Sequence, residues 1–291
     1  MQTFNDFHPA ALLAYFIAVS VITMFSMNPV LLLISLIGAI LGCAVCGGIG
    51  KRFGGFLIVM LMLTTIINPL FSHDGTSILF ILNGNPVTLE AVFYGVAMGL
   101  MLCAVLLWFR LFSAIMTSEK LQCVLGVFSP KTALLLSMTL RYVPLFVRQT
   151  ARVAQTQRAM GLTRADTVGE KLRNGCRIFS VMLTWGLENG IITANSMDAR
   201  GYGTGHRTAF SRFRFRLRDA GLLLCTVTLT GILLHTMITG ALFCTYYPAM
   251  ELPRLTVGTI ISYGAFAVLV LLPIITETEE TLKWHCLRSK I

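Results

Sequence analysis

Long apolar runs, broken by short polar stretches, dominate both ends of this chain. Ala220–Phe243 holds 24 residues without a Lys, Arg, Asp or Glu, Leu255–Ile275 another 21, and Ala91–Phe109 another 19. About 20 apolar residues cross the hydrocarbon core of a bilayer as a helix. A soluble helix of that length would need a polar face, and these segments have none. The pattern predicts six spans, at 9–28, 29–50, 53–71, 91–109, 220–243 and 255–275. Asn28-Pro29 breaks the first pair, because a residue before proline is pushed away from the helical region. Lys51-Arg52 divides the second span from the third. Between the third and fourth, 72–90 holds Asp74, Gly75, Asn83, Gly84, Asn85 and Pro86 and reads as a turn-rich loop. No basic residue precedes Lys51, so the first apolar segment reads as a membrane helix that stays rather than as a cleaved signal.

The middle of the chain has a different pattern. Lys120, Lys131, Arg141 and Arg148 interrupt one apolar stretch, and Arg177 and Glu188 bracket the next. Uncharged runs this short do not cross a membrane. They fit amphipathic helices that lie along or beneath the bilayer. Pro130 and Pro144 would start or kink such helices, and Gly161 and Gly201 would end them. The expected fold is all-α: a polytopic membrane protein of about six transmembrane helices with a cytosolic amphipathic insertion. Its divisions are 1–116 (spans one to four), 117–219 (the insertion) and 220–291 (spans five and six with a cytosolic tail).

Charge orients this arrangement. The chain is 55% hydrophobic and 12% charged, with a net charge of +10; soluble domains carry about 25% charged residues. Arg110–Asp219 alone sums to +11 and the rest to −1. Lys and Arg collect in cytoplasmic loops. The insertion, Lys51-Arg52 and both termini are therefore expected in the cytosol and the 72–90 loop outside. Arg212, Arg214, Arg216 and Arg218 alternate with Phe213, Phe215 and Leu217, a run assigned to lipid headgroups.

Several chemistries are missing from the sequence. Gly50-Lys51 is followed by Arg52 and lacks the upstream glycine, so no phosphate-binding loop forms and ATP must be bound elsewhere. Cys43-Ala-Val-Cys46 has no companion pair for a metal or redox centre. His235 reads as a helix-interface residue rather than a ligand. Gly38/Gly42 and Gly95/Gly99 read as close helix packing. No catalytic set, metal site or cofactor is expected, and no nucleic-acid partner.

Two similar segments remain, 40 residues apart: Gln157-Arg158-Ala159-Met160-Gly161-Leu162 and Met197-Asp198-Ala199-Arg200-Gly201-Tyr202. Each reads as a helix C-terminus closed by glycine. Arg200 either neutralises the helix dipole, for about 0.3–1 kcal/mol, or projects into a partner's acidic groove, where its fork suits a carboxylate.

Met197-Asp198-Ala199-Arg200-Gly201-Tyr202-Gly203 closely resembles the second Ala-Arg-Gly motif of the transmembrane (T) component of energy-coupling factor transporters, a family that includes the T subunits of cobalt and nickel importers. Asn68-Pro69-Leu70-Phe71, Thr88-Leu89-Glu90-Ala91 with Tyr94-Gly95, Thr117-Ser118-Glu119 and Arg141-Tyr142-Val143-Pro144-Leu145 resemble other parts of that family. The likeness runs over about residues 10–275. It implies long cytosolic coupling helices, with Arg141 and Pro144 in the coupling region. It implies docking of two ABC-type ATPases, a homo- or heterodimer, on Ala159, Gly161, Arg158, Ala199, Arg200 and Gly201. A small membrane subunit would capture the substrate, a vitamin or a transition-metal ion. The chain itself would be a non-catalytic subunit of a primary importer. The competing reading is a self-sufficient carrier or channel, which would need a polar pathway or inverted repeats; neither is visible.

One departure stands out. The family's first motif would place Arg at position 160, where this chain has Met160. Arg158 lies about 200° around the helix from that position, and Arg164 follows the glycine.

Overall fold

The computed structural model describes residues 4–46, 50–72, 75–82, 85–162, 167–204, 213, 215–248, 250–251, 253 and 256–288. Among them the chain forms α1 (Pro9–Phe25), α2 (Pro29–Cys46), α3 (Lys51–Phe71), β1 (Ile78–Leu82), β2 (Asn85–Thr88), α4 (Leu89–Ile115), α5 (Ser118–Phe128), α6 (Pro130–Ala159), α7 (Val168–Ala199), α8 (Leu217–Ile238) and α9 (Val257–Arg288). These divide into two compact units: Met1–Leu121 with Phe213–Ile291, and Gln122–Arg212.

The first unit is a membrane bundle. α3, α4, α8 and Val257–Thr278 of α9 are long and apolar enough to cross a bilayer, at 21, 27, 22 and 22 residues. α1 and α2 are apolar but shorter. The protein is an all-α polytopic membrane protein. α4 packs against α1, α2 and α3, while α9 packs against α2 and α8. Tyr15, Phe16, Trp108 and Phe266 are fully buried at the centre. Without water in the hydrocarbon, their polar groups must be satisfied internally. The Tyr15 hydroxyl donates to Leu269 O at 3.2 Å, and Trp108 Nε1–H donates to Ser35 Oγ at 2.9 Å.

The glycine pairs behave as the sequence implies. A Cβ on Gly38 would collide with Val270 of α9, and one on Gly99 would come within 2.5 Å of Thr64 Oγ1 on α3. Absence of a side chain is what lets these helix backbones approach. His235 is different: it is exposed on α8 rather than held between helices. α8 presents a wide lipid-accessible surface, with Leu234 44% and Ile238 84% exposed, and the His235 position shares it.

The 72–90 segment also departs from expectation. Two antiparallel strands replace the loop, with Ile78 opposite Thr88 and Leu82 opposite Asn85. Ile78-Leu79-Phe80-Ile81-Leu82 is an apolar run with high strand propensity. Asn83-Gly84, between the strands in sequence, is the preferred hairpin dipeptide. Thr88 then caps α4 by accepting from Ala91 N–H at 3.4 Å, a standard N-terminal signal.

At the opposite end of the bundle, residues 4–8 tie several elements together. Phe4 N–H donates to Glu277 Oε2 at 3.0 Å, and His8 N–H donates to Asp219 Oδ1 at 2.8 Å. Lys120 Nζ donates to Asn5 O at 2.6 Å and Ile115 O at 2.9 Å. Burial lowers the Lys120 pKa from the ordinary lysine value, while Asp6 pulls it the other way. Lys120 and Asp219 stand close in sequence to the points where the chain leaves and rejoins the bundle, at Leu121 and Phe213.

In the second unit, α6 begins at Pro130 and continues unbroken through Pro144 to Ala159. Proline suits a first turn, where its missing N–H costs nothing. α7 opens with a capping box, Thr167 with Glu170, which satisfies two free N–H groups reciprocally. Tyr142 and Thr193 share a hydroxyl–hydroxyl hydrogen bond of 2.8 Å, and the Phe146 and Trp185 rings meet edge to face at 5.4 Å. Residue numbers rise along α6 as they fall along α7, so the helices cross antiparallel. A Cβ on Gly186 would come within 2.9 Å of the Phe146 ring; the glycine makes room for it.

Candidate functional site

The two segments singled out in the sequence adopt the same local structure. α6 ends at Ala159, with Met160 as its C-cap; α7 ends at Ala199, with Arg200 as its C-cap. Gly161 has φ +74° and Gly201 φ +76°, a left-handed conformation that glycine takes without a steric penalty. At the first end, Gly161 N–H donates to Arg158 O and Leu162 N–H to Gln157 O, both at 3.0 Å. At the second, Gly201 N–H donates to Asp198 O at 2.9 Å and Tyr202 N–H to Met197 O at 3.0 Å. Each is a Schellman motif, in which the last N–H groups fold back onto otherwise free carbonyls.

Arg200 therefore stands just past the helix rather than within its last turn. Its side chain, like those of Arg158, Ala159 and Met160, is exposed. Because the helices cross antiparallel, the two closing ends lie on opposite sides of the crossing. Arg164 lies outside the described residues, as do Arg212 and Arg214 of the basic run. Gln157 is buried, and its Oε1 has no hydrogen-bond partner among the described residues; the corresponding position in α7 is Met197.

Arg141 and Pro144 are exposed on α6, flanking the crossing made by Tyr142 and Phe146. Those two residues, with Thr193 and Trp185, fix how the pair crosses. Sequence reasoning missed Thr193 and Trp185 because no spacing rule links residues some 40 to 50 positions apart. Beside the crossing lies an apolar groove of about 600 Å³, lined by Phe146, Thr150, Ile178, Phe179, Met182 and Leu187 among others. Phe179 and Leu187 are 64% and 68% exposed. An apolar surface of this kind marks a contact with protein or membrane.

The segments quoted from the bundle also meet. Asn68 Nδ2–H donates to Ala91 O at 2.8 Å, joining the Asn68-Pro69-Leu70-Phe71 end of α3 to the start of α4. A Cβ on Gly95 would come within 3.0 Å of Thr64 O.

The energy-coupling factor transporter transmembrane protein EcfT of Exiguobacterium sibiricum is 32% identical over 113 residues, which cover 38% of this chain and 43% of that relative. The match thus spans less than half of the relative's length. The profile of the cobalt transport protein family, CbiQ, matches residues 2–210, which take in the first four apolar helices and both glycine-closed helix ends. The chain belongs to the cobalt transport protein family.

Proposed function

We propose that this protein is the membrane-embedded coupling subunit, the T component, of an ATP-driven importer of the energy-coupling factor type. It binds no nucleotide. It transmits the closure of two ABC-type ATPases to a small membrane subunit that captures a vitamin or a transition-metal ion. The observation that carries this reading is the pair of exposed Schellman ends on α6 and α7, one bearing Arg200 at its tip. A guanidinium held just beyond a rigid helix end can enter a facing acidic groove and bind a carboxylate through two parallel N–H donors. Ala159 and Ala199 keep both ends slim enough to enter such a groove.

The apolar groove beside the Tyr142–Thr193 crossing would receive the capture subunit, since its lining is aliphatic and aromatic rather than charged. Arg141 and Pro144 flank that surface. Positive charge in the insertion supports a cytosolic second unit, and with six spans, cytosolic termini.

Affinity purification of the tagged protein from its native membrane tests the assignment. Two ATPase polypeptides, or two copies of one, and a small hydrophobic subunit should accompany it. Recovery of the chain alone after chemical cross-linking in intact cells would refute it. Orientation has its own test in a cysteine-free background: Gly84→Cys should react with an impermeant thiol reagent in whole cells, and Lys171→Cys should not.

A further inference from the structure

α3 and α4 present a second feature that the docking ends do not use. α4 leaves its uncharged run at Phe109, and the next residue, Arg110, lies over the Phe53 ring with its guanidinium carbon 4.9 Å from the centroid. Its Nη2 reaches to 4.0 Å from the point where a Cβ would stand on Gly50. Lys51 and Arg52, both exposed, open α3 at the same level. Beside them is a groove of about 480 Å³, lined by Cys43, Phe53, Leu106, Phe109, Arg110 and Leu111 among others, with no carboxylate in its lining. Phe109 is 55% exposed and Phe56, next to Phe53 along α3, is 51% exposed.

This is an apolar slot with a cationic rim, set where uncharged helix gives way to basic residues. That transition is the depth of lipid headgroups. A guanidinium matches a phosphodiester with two parallel donors, and the face of an aromatic ring beneath it holds the cation in place. Hydrocarbon is the natural occupant of the slot itself, because most of its lining is apolar.

We propose that this groove binds one anionic phospholipid, with the phosphodiester on Arg110, assisted by Lys51 and Arg52, and an acyl chain along Leu106, Phe109 and Phe53. The occupant is a lipid rather than a free phosphate because the larger part of the groove is apolar. This assignment does not depend on which ATPases or capture subunit the protein takes.

Native mass spectrometry of the purified protein tests it. Palmitoyl-oleoyl phosphatidylglycerol would be added against phosphatidylcholine of the same chains. The wild type should retain one phosphatidylglycerol in preference to phosphatidylcholine. Arg110→Gln should reduce that retention about fivefold, the loss of one basic residue's attraction at an anionic surface. Arg173→Gln, on α7, should leave it unchanged. Leu106→Trp keeps every charge but fills the slot, and it should lose the lipid too; it provides the test if Arg110→Gln does not fold. Equal retention of the two lipids by the wild type would overturn the proposal. So would full retention by Leu106→Trp, or displacement of the adduct by millimolar inorganic phosphate.

Discussion

Gly161 and Gly201 take φ values within two degrees of each other, and Leu162 and Tyr202 each reach back to a carbonyl at 3.0 Å. Yet Met160 stands at one tip and Arg200 at the other. The shared geometry is set by the glycine and by the free carbonyls it satisfies. The C-cap side chain is not needed for it, since methionine and arginine close the helix equally well. On the proposed reading, fold and recognition lie on adjacent residues at these ends, and the second can change without the first. If the ends dock separate ATPase surfaces, the α7 end carries the larger electrostatic share.

Arg200→Ala should have the largest effect. Removing one partner of a buried interfacial charge pair costs about 2–5 kcal/mol, or roughly 30- to several-thousand-fold in affinity. Co-purification of the ATPases, normalised to membrane expression, should fall accordingly while insertion is unaffected. Arg200→Lys should restore only part, because an ammonium lacks the planar fork. ATPase recovery at the wild-type level by Arg200→Ala would leave the arginine a role in helix-end electrostatics alone.

Met160→Arg pushes the comparison the other way. A charge-assisted hydrogen bond contributes about 1.5–3 kcal/mol, so the variant should hold the ATPases more tightly in a salt-titrated pull-down. Weaker binding would show that the α6 end faces a surface suited to methionine. Gly161→Ala and Gly201→Ala probe the part the ends share. A left-handed non-glycine residue costs about 1–2 kcal/mol, and both variants should lower thermal stability by similar amounts. A large difference between them would mean that the two closures are not equivalent. Gln157→Met should have the smallest effect, about 1 kcal/mol of stabilisation in a thermal-shift assay. It replaces a buried, unsatisfied oxygen with the residue that α7 carries at the same place.

The bundle was largely legible because the bilayer leaves few alternatives: a long uncharged stretch such as Leu255–Ile275 has to become a helix. Both glycine-closed ends could be read for a local reason, since a Schellman motif involves six consecutive residues. The β-hairpin was hidden because Gly, Asn and Pro in 72–90 argue equally for a loop and for a turn between strands. Only the apolar run at 78–82 separates the two. His235 misled because a lone polar residue in a membrane helix reads as buried, and sequence does not reveal which face of α8 its neighbours cover. The crossing of α6 and α7 rests on Tyr142 with Thr193 and Phe146 with Trp185, pairs no local pattern joins. The groove under Arg110 needed Phe53, from a different helix, to be recognised.

The ties made by residues 4–8 set an order of events during synthesis. Their partners follow 115, 211 and 273 positions later, at Lys120, Asp219 and Glu277. These residues emerge from the ribosome long before the groups that hold them. Asn5 can be held once Lys120 is made and His8 once Asp219 is made, whereas the tie of Phe4 to Glu277 waits until α9 has been made and threaded into the membrane. Fastening Phe4 is therefore among the last acts of assembly, and it completes a knot that already holds the positions beside both junctions with the α6–α7 unit. A chain cut short before Glu277, or a bulky tag fused just ahead of Phe4, would leave that knot incomplete even with every preceding helix in place.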